Sequence, residues 1–376
     1  MNKKIGIINM FWIGYFLIIF SEMFVNVKFV KNYVEIINYI GIAILIIFMG
    51  MSSIKFNKKV FLVMILLFLM GVYTYYYYRD FTIMKFLILA YCIKNIEFDD
   101  LIKKDFYIKM AFFIIILILS FLNLCEKISF IREDKIRYTL GFIHPNTAGF
   151  YIMILTFEYL YINRSKISYK HLILLVIIIL LTNIITNSRS SVIALTMMLV
   201  SLMFYKFIVN KVFNFRIVRF IIKNMVLILT MISFIIVVGY ANKFGWAIWI
   251  NEKLSNRAFY ILNVLNSYDI TLVGNFLPES VIILDNQYIL FLLNFGILFY
   301  FIYYALFYIK FKQLFNEKQY FLIIILSILL IYGLMEKTTF RASYNVFMLS
   351  LSSILFFKKG VGEEDGKQSI NNSSNI

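Results

Sequence analysis

Long apolar runs separated by short polar segments follow one another along the whole chain. Many runs approach the roughly 20 residues that an α-helix needs to cross about 30 Å of hydrocarbon. Polar residues gather between the runs and do not alternate with apolar ones, so the pattern predicts helices and not membrane β-strands. We therefore expect an all-α, polytopic integral membrane protein with eleven or twelve transmembrane helices.

Twelve runs are candidates for membrane spans, and the first resembles a signal peptide. That first run lacks a small-residue cleavage site, so we expect it to be retained as a span. We expect residues 1–357 to form one transmembrane helical domain and the polar residues 358–376 to be a disordered tail. The predicted spans are 5–21, 34–51, 60–78, 81–96, 106–125, 145–162, 171–187, 190–209, 220–240, 286–308, 319–335 and 339–357.

Basic residues orient these predicted spans in the plasma (inner) membrane. A cytoplasmic N-terminus places "KFNKK", "NRSKISYKH" and "KFKQLFNEK" on the cytoplasmic side, where Lys and Arg are normally in excess. Both termini are then cytoplasmic. The long loop 241–285 faces outwards, and its length and aromatic content indicate that it folds against the membrane surface. The other outward segments are 126–144, 186–191 and 335–341.

Composition narrows the function classes. The chain is 62% hydrophobic and has a formal net charge of +17. Its basic residues are divided among short loops and form no continuous patch, which argues against nucleic-acid binding. Cys92 and Cys125 have no metal-ligand or redox spacing. We find no phosphate-binding loop or zinc-ligand array, and we expect neither a cofactor nor a metal ion.

The stretch "GFIHPNTAGF", residues 141–150, contains one of the two histidines and one of the two prolines of the chain. Asn146 or Thr147 is expected to cap the sixth helix, with Pro145 near its first turn. Such a cap does not require a histidine. His144 is therefore a candidate for hydrogen-bond donation or proton transfer at the outer face.

Two arginines stand at outer boundaries of predicted helices. Arg189 lies in "TNSRSS", where a guanidinium needs an anion, supplied either by lipid phosphates or by a bound pyrophosphate. Arg257 stands near the start of "KLSNRAFYILNVLN", residues 253–266, whose rough amphipathic stripe is suited to lying on a bilayer. Both arginines are candidates for holding a pyrophosphate.

Carboxylates near the start of the tenth predicted span are the other chemical candidates. Asp285 and Asn286 mark that start, and helix capping alone accounts for them. A carboxylate beside a phosphate-binding arginine also suits deprotonation of an attacking hydroxyl. The catalytic candidates are therefore Asp285, Glu279 and His144.

The last outer turn, "MEKTTFR", groups Glu336, Lys337 and Arg341. A structural ion pair among them is the simplest interpretation. Arg341 also adds a guanidinium to the outer face. The residues expected to support the site are Asn146, Ser188, Ser190, Asn286 and Arg341.

The order of "GFIHPNTAGF", "TNSRSS", "LSNRAFY" and "DNQYILFLLNFG" resembles that of the O-antigen polymerase and ligase superfamily, most nearly its Wzy-like polymerases. The resemblance implies a metal- and nucleotide-independent glycosyltransferase acting outside the membrane in capsule, exopolysaccharide or O-antigen synthesis. Such enzymes join a glycan carried on undecaprenyl pyrophosphate to a hydroxyl of another lipid-linked unit. By motif position, Arg189 and Arg257 resemble the arginines of the family that hold the pyrophosphate. Ligases of the family have a His where this chain has Asp285, so the resemblance favours a polymerase and leaves the general base open.

Two alternatives remain beside the polymerase. A ligase would transfer finished glycan to another acceptor. A lipid-linked oligosaccharide flippase would carry ionisable residues along an aqueous path through its spans, whereas few charged residues fall within the predicted spans, Lys85, Lys109 and Glu158 among them, and most of these lie near span ends. The expected partners are lipid-linked oligosaccharides, membrane lipids, and the chain-length regulator and flippase of the same pathway.

Overall fold

The computed structural model describes residues 2–51, 58–126, 130–132, 135–275, 277 and 284–356. The described chain is 77% helix and 2% strand, which confirms the all-α prediction. Glu279 and the predicted tail 358–376 lie outside the described residues. The α-helices are α1 (Asn2–Met23), α2 (Val34–Met51), α3 (Lys58–Tyr78), α4 (Thr82–Cys92), α5 (Phe98–Phe121), α6 (Pro145–Ile162), α7 (Tyr169–Thr186), α8 (Arg189–Met203), α9 (Tyr205–Asn210), α10 (Arg216–Lys223), α11 (Met225–Ala241), α12 (Gly245–Lys253), α13 (Arg257–Ser267), α14 (Gln287–Asn294), α15 (Gly296–Asn316), α16 (Tyr320–Tyr332) and α17 (Ser352–Leu355).

Three helical segments of the described chain are long and apolar enough to cross a membrane, and two bent pairs raise the number to five. The arrangement of eleven or twelve spans is therefore not confirmed by length and composition. The three segments are Lys31–Met51, Val60–Tyr77 and Tyr169–Thr186. The bent pairs are Arg189–Met203 with Tyr205–Asn214, at 72°, and Arg216–Lys223 with Met225–Ala241, at 73°.

Several predicted spans are shorter or broken because backbone geometry interrupts a continuous apolar run. The predicted span 286–308 is two helices, α14 and α15, divided at Gly296, whose φ is +82°. A Cβ on Gly296 would lie 2.4 Å from the backbone nitrogen of Gly274, so only glycine fits at this crossing. The predicted span 339–357 consists largely of 3₁₀ turns, Lys337–Phe340 and Val346–Leu351, followed by α17.

Burial divides the helices into an inner group and an outer group. Most residues of α6 and α16 are buried, and these helices form the centre of the bundle. By contrast, only 17% of the α7 window and 22% of the α3 window are buried. Their exposed side chains are almost all apolar, and Ile184 on α7 is 72% exposed. A surface of this kind is favoured by lipid and not by water.

The segment between α5 and α6 is an antiparallel β-hairpin of β1 (Phe130–Arg132) and β2 (Lys135–Arg137). The Asn26 side chain donates hydrogen bonds to the carbonyls of Gly141 and Phe142, each at 3.1 Å. The Tyr138 amide donates to the carbonyl of Ile185 at 2.9 Å. The Asn26 bonds tie the segment before α6 to the turn after α1, and the Tyr138 bond ties the end of the hairpin to the end of α7. The predicted loop 241–285 contains α12 and α13, so the amphipathic segment is helical from Arg257 onwards.

Candidate active site

The Glu336 carboxylate, which lies in the turn after α16, joins three other helices. Its Oε1 accepts hydrogen bonds from Asn146 Nδ2 at 2.9 Å, Ser190 Oγ at 2.9 Å and Arg257 Nη2 at 3.1 Å. These donors belong to the first turns of α6, α8 and α13. The Glu336 side chain is only 8% exposed. One buried carboxylate oxygen therefore holds together four segments that are far apart in sequence.

Arg257 occupies the first position of α13 because the preceding turn is tightly fixed. Ser255 and Asn256 both have left-handed backbone angles, with φ of 60° and 62°, which are uncommon for residues other than glycine. The Asn251 side chain stabilises the turn, donating to Asn256 Oδ1 and accepting from the Phe259 amide, both at 3.1 Å. Arg257 Nη2 also lies 3.5 Å from Asp285 Oδ2. The turn thus directs this guanidinium towards two carboxylates.

His144 is the N-cap of α6, so the expectation that Asn146 or Thr147 would cap this helix was wrong. The Asn146 amide donates to His144 Nδ1 at 3.0 Å, and Pro145 fills the first helical position as expected. The imidazole nitrogen stands where an Asn or Ser oxygen normally accepts this bond. Burial lowers the pKa of His144, and the nearby charge of Arg137 lowers it further against an opposing effect of Asp285. A neutral ring that accepts at Nδ1 carries its proton on Nε2 and is therefore a donor.

Because His144 provides the cap, the Asn146 side chain is free to connect two charged groups. Its Oδ1 accepts from Arg137 Nη2 at 2.5 Å, while its Nδ2 donates to Glu336. Arg137 Nε donates to the carbonyl of Thr186 at 3.0 Å. The hairpin strand β2 therefore supplies a guanidinium to the site and links it to the end of α7.

Arg189 occupies the first position of α8, immediately beside Ser190. The neighbouring Ser188 is fully buried and its Oγ donates to Ser191 Oγ at 3.0 Å. Gly149 of α6 packs so closely here that a Cβ on it would lie 2.7 Å from the Ser188 Cβ. This contact fixes the start of α8 against α6. Arg189 begins α8, and the next residue, Ser190, donates to the Glu336 carboxylate. Arg257 begins α13 and donates to the same carboxylate itself.

The charges at this end of the bundle are mostly positive. The pKa of Arg137 is lowered mainly by burial, and the charges of Arg132 and Arg189 lower it further. Burial raises the pKa of Glu336 to about 7, and Asp285 adds to this effect while Arg257 opposes it. Among the described residues that act on Arg137 or Glu336, the arginines Arg132, Arg189 and Arg257, with Arg137 itself, therefore outnumber the carboxylates Asp285 and Glu336. Four helix N-termini, those of α6, α8, α13 and α14, add to the attraction for an anion.

An apolar cavity of about 220 Å³ lies beside Arg257. It is lined by residues of α8, α11, α13 and α16. Arg257 and Asn286 are the polar residues at its edge, together with Ser233. The apolar lining includes Ile193, Val237, Ile261 and Leu334. The combination of a guanidinium with an adjoining apolar cavity suits an anion that carries a hydrocarbon chain.

The remaining predicted residues divide between this site and other places. Asn286 caps α14, as expected, because its Oδ1 accepts from the amides of Tyr288 and Ile289, both at 3.1 Å. Its Nδ2 donates to Ser233 Oγ at 2.8 Å. Arg341 lies in a separate polar cavity with Glu22, away from the residues that bind Glu336.

Sequence reasoning undervalued Glu336 and missed Arg137. It paired Glu336 with its sequence neighbours, whereas the carboxylate binds Arg257. Arg137 lies in "FIREDKIRY", where charged and apolar residues alternate around a charged turn. That pattern indicates a hairpin, and it could have identified this segment from the sequence.

No family model, curated protein or solved structure matches the chain. Within the described ranges, no group of three or more His, Cys, Asp or Glu side chains is arranged to hold a metal ion.

Proposed function

We propose that the chain is a polysaccharide polymerase that joins oligosaccharide repeat units carried on undecaprenyl pyrophosphate. The observation that carries this proposal is the position of Arg257. It binds Glu336, which adjoins the cationic cluster of Arg132, Arg137 and Arg189, and it also lines the apolar cavity. A lipid diphosphate has a strongly anionic head and a hydrocarbon chain, and it matches both features. The order of motifs, which resembles that of Wzy-like polymerases, supports the choice of reaction.

The proposal includes the membrane arrangement. Twelve spans, counting short and bent helices, put both termini in the cytoplasm and the Glu336 site at the outer face of the plasma membrane. Basic clusters at the other ends of the spans support this orientation. The short α16 reaches the centre of the bundle with its apolar side chains shielded by neighbouring helices.

In the proposed reaction, Arg257 and Arg189 bind the diphosphate of the donor. The bond between the donor sugar C1 and the diphosphate oxygen breaks, and a bond forms from C1 to the acceptor hydroxyl oxygen. Negative charge grows on the leaving diphosphate, so fixed guanidinium groups stabilise the transition state more than the ground state. Undecaprenyl pyrophosphate leaves, and the donor bond itself supplies the driving force.

The acceptor hydroxyl must lose its proton, and Asp285 is best placed to receive it. Its side chain is 34% exposed and lies at the edge of the site, 3.5 Å from Arg257. Glu336 is less accessible, because its Oε1 already accepts three hydrogen bonds. We assign Asp285 as the base, Glu336 as the residue that positions Arg257, and His144 as a donor to the leaving diphosphate.

Gel analysis of lipid-linked glycans in a deletion strain tests the proposal. We expect single repeat units to accumulate on the carrier at the outer leaflet, and the gene for the unaltered chain to restore polymer. Polymer that stays on the carrier would instead indicate a ligase. Units trapped on the cytoplasmic leaflet would indicate a flippase, and either result would overturn the proposal.

One observation favours a transporter as the second candidate. Lys109 on α5 lies 2.5 Å from Asp105 Oδ2 and 3.2 Å from Glu158 Oε1, and all three side chains are fully buried. Asp105 falls inside α5, although the predicted span began after it. Buried ionisable groups in spans often mark transport paths.

Here Lys109 Nζ also donates to the carbonyl of Tyr344, so all three of its donors are satisfied, which suits a structural cluster. Glu158→Gln should therefore leave polymer formation intact.

A further inference from the structure

A second cavity, of about 310 Å³, adjoins the segment that follows Glu336. It lies between the end of α1, the turn joining α3 to α4, and the residues after the 3₁₀ turn Lys337–Phe340. Unlike the cavity beside Arg257, it is lined mainly by charged and hydroxyl groups. These include Glu22, Arg79, Asp80, Thr82, Lys85 and Arg341.

The Glu22 carboxylate is held rigidly but only half satisfied. Its Oε1 accepts from Lys85 Nζ at 2.5 Å and from Ser343 Oγ at 2.7 Å. Its Oε2 is buried and has no hydrogen-bond partner among the described residues. The side chain as a whole is 10% exposed. A buried carboxylate oxygen without a hydrogen-bond donor is costly. A ligand that donates a hydrogen bond to Glu22 Oε2 is therefore favoured in this cavity.

The mixed charges select the kind of ligand. Glu22 and Asp80 disfavour a phosphate, while Arg79, Lys85 and Arg341 disfavour a cation. Neutral hydroxyl groups satisfy both sets, because they donate to carboxylates and accept from guanidinium groups. A glycan presents several such groups from one rigid ring and also has an apolar face.

The two cavities are joined by a short, rigid connection. Glu336 directly precedes the 3₁₀ turn and Arg341 directly follows it. At the rise of roughly 2 Å per residue of a 3₁₀-helix, the two Cα atoms are about 10 Å apart. Lys337 stands between the two sites: burial lowers its pKa most, Asp285 of the first site raises it, and Arg341 of the second lowers it.

We propose that this second cavity binds the acceptor glycan and presents its hydroxyl to Asp285. The acceptor role of this glycan rests on the proposed polymerase function. Binding of a glycan by the cavity can be tested independently of that function. Arg79 and Arg341 are both exposed at the cavity, and Arg341 also packs over the Tyr344 ring, so the folding of each variant needs a test of its own.

The test uses the full-length chain in nanodiscs and oligosaccharides of one repeat unit, prepared by partial acid hydrolysis of the host's own surface polysaccharide. Saturation-transfer NMR measures their binding. We expect Arg341→Ala and Arg79→Ala each to weaken binding about tenfold or more, as expected for loss of a charged hydrogen bond, and Arg341→Lys to weaken it less. Arg257→Ala should bind the oligosaccharide normally.

Inorganic pyrophosphate is the matched second probe, and its binding reports that Arg79→Ala and Arg341→Ala are folded, as oligosaccharide binding does for Arg257→Ala. Its binding should be lost in Arg257→Ala and retained in Arg341→Ala. Oligosaccharide binding that is unchanged in both cavity variants overturns the inference, as does pyrophosphate binding that depends on Arg341. A deletion strain that still makes normal polymer would refute the polymerase instead, and would leave the binding result as a separate finding.

Discussion

The Arg257 guanidinium lies 3.1 Å from the Glu336 carboxylate, although 79 residues separate the two in sequence. Asn146 and Ser190 donate to the same carboxylate oxygen. This single acceptor therefore brings the starts of α6, α8 and α13 together. It also keeps Arg257 beside the apolar cavity, where the proposed lipid diphosphate binds.

Replacing either arginine should stop polymer formation. We expect Arg257→Ala or Arg189→Ala to reduce polymer at least about a hundredfold, since each removes charge stabilisation from the transition state. Arg257→Lys should also be impaired because an ammonium group cannot form the bidentate hydrogen bonds that a guanidinium group makes to phosphate. Gels of lipid-linked glycan should show single units in each case.

Arg164→Ala is the matched control for those substitutions. Arg164 forms an exposed ion pair with Asp99 at the other end of α6, about 27 Å away at 1.5 Å per residue over its 18 residues. Loss of an exposed pair costs little, so polymer should remain normal. If Arg164→Ala were as defective as Arg257→Ala, the effect would not be specific to the site.

Protonation of Glu336 should make stability depend on pH. Its pKa rises from an ordinary 4.5 to about 7, chiefly through burial. The folded chain therefore binds this proton more tightly than the unfolded chain, and stability falls as the pH rises from about 4.5 to about 7. We expect the melting temperature in detergent to drop between pH 5 and pH 8, and Glu336→Gln to flatten that slope. Equal slopes for the two chains would contradict the assignment.

Substitutions of His144 separate its cap from its chemistry. His144→Ala removes the acceptor for the Asn146 amide and should cost about 1 kcal/mol of stability. His144→Asn keeps an acceptor in the cap position but removes the Nε2–H donor. We expect this variant to retain its melting temperature and to make polymer more slowly. Normal polymerisation by His144→Asn would limit the residue to the cap.

Two adjacent valines on α11 test the apolar cavity. Val237 lines it and is 3% exposed, whereas Val238 faces away and is 54% exposed. Val237→Phe should fill the cavity and prevent the hydrocarbon chain from binding, although Arg257 stays in place. Val238→Phe adds the same volume outside it and should be silent. Similar polymer levels in the two variants would show that the cavity does not hold the substrate.

The sequence was most informative where local chemistry decides the structure. The apolar runs predicted the helices, and "DNQ" predicted the Asn286 cap. The break at Gly296 was missed because hydropathy continues across it, while a positive φ and close contact with Gly274 divide the helix. Short buried helices such as α16 also cannot be assigned by span length, because neighbouring helices shield their side chains.

The site itself depends on contacts that local patterns do not contain. Arg257 and Asp285 were identified because each stands near the predicted start of a helix, and the structure brings them within 3.5 Å. The pairing of Glu336 with Arg257 was not predictable from "MEKTTFR", where Lys337 and Arg341 are nearer in sequence. Only the packing of α6, α8 and α13 around Glu336 buries its carboxylate and gives it Arg257 as an ion-pair partner.

Reconstitution of the purified chain with lipid-pyrophosphate-linked repeat units tests the central claim most directly. The unaltered chain should produce a ladder of glycans on a gel and release one undecaprenyl pyrophosphate for each bond formed. Arg257→Ala should produce neither. Absence of a ladder from the unaltered chain with its native units, or an equal ladder from Arg257→Ala, would contradict the account.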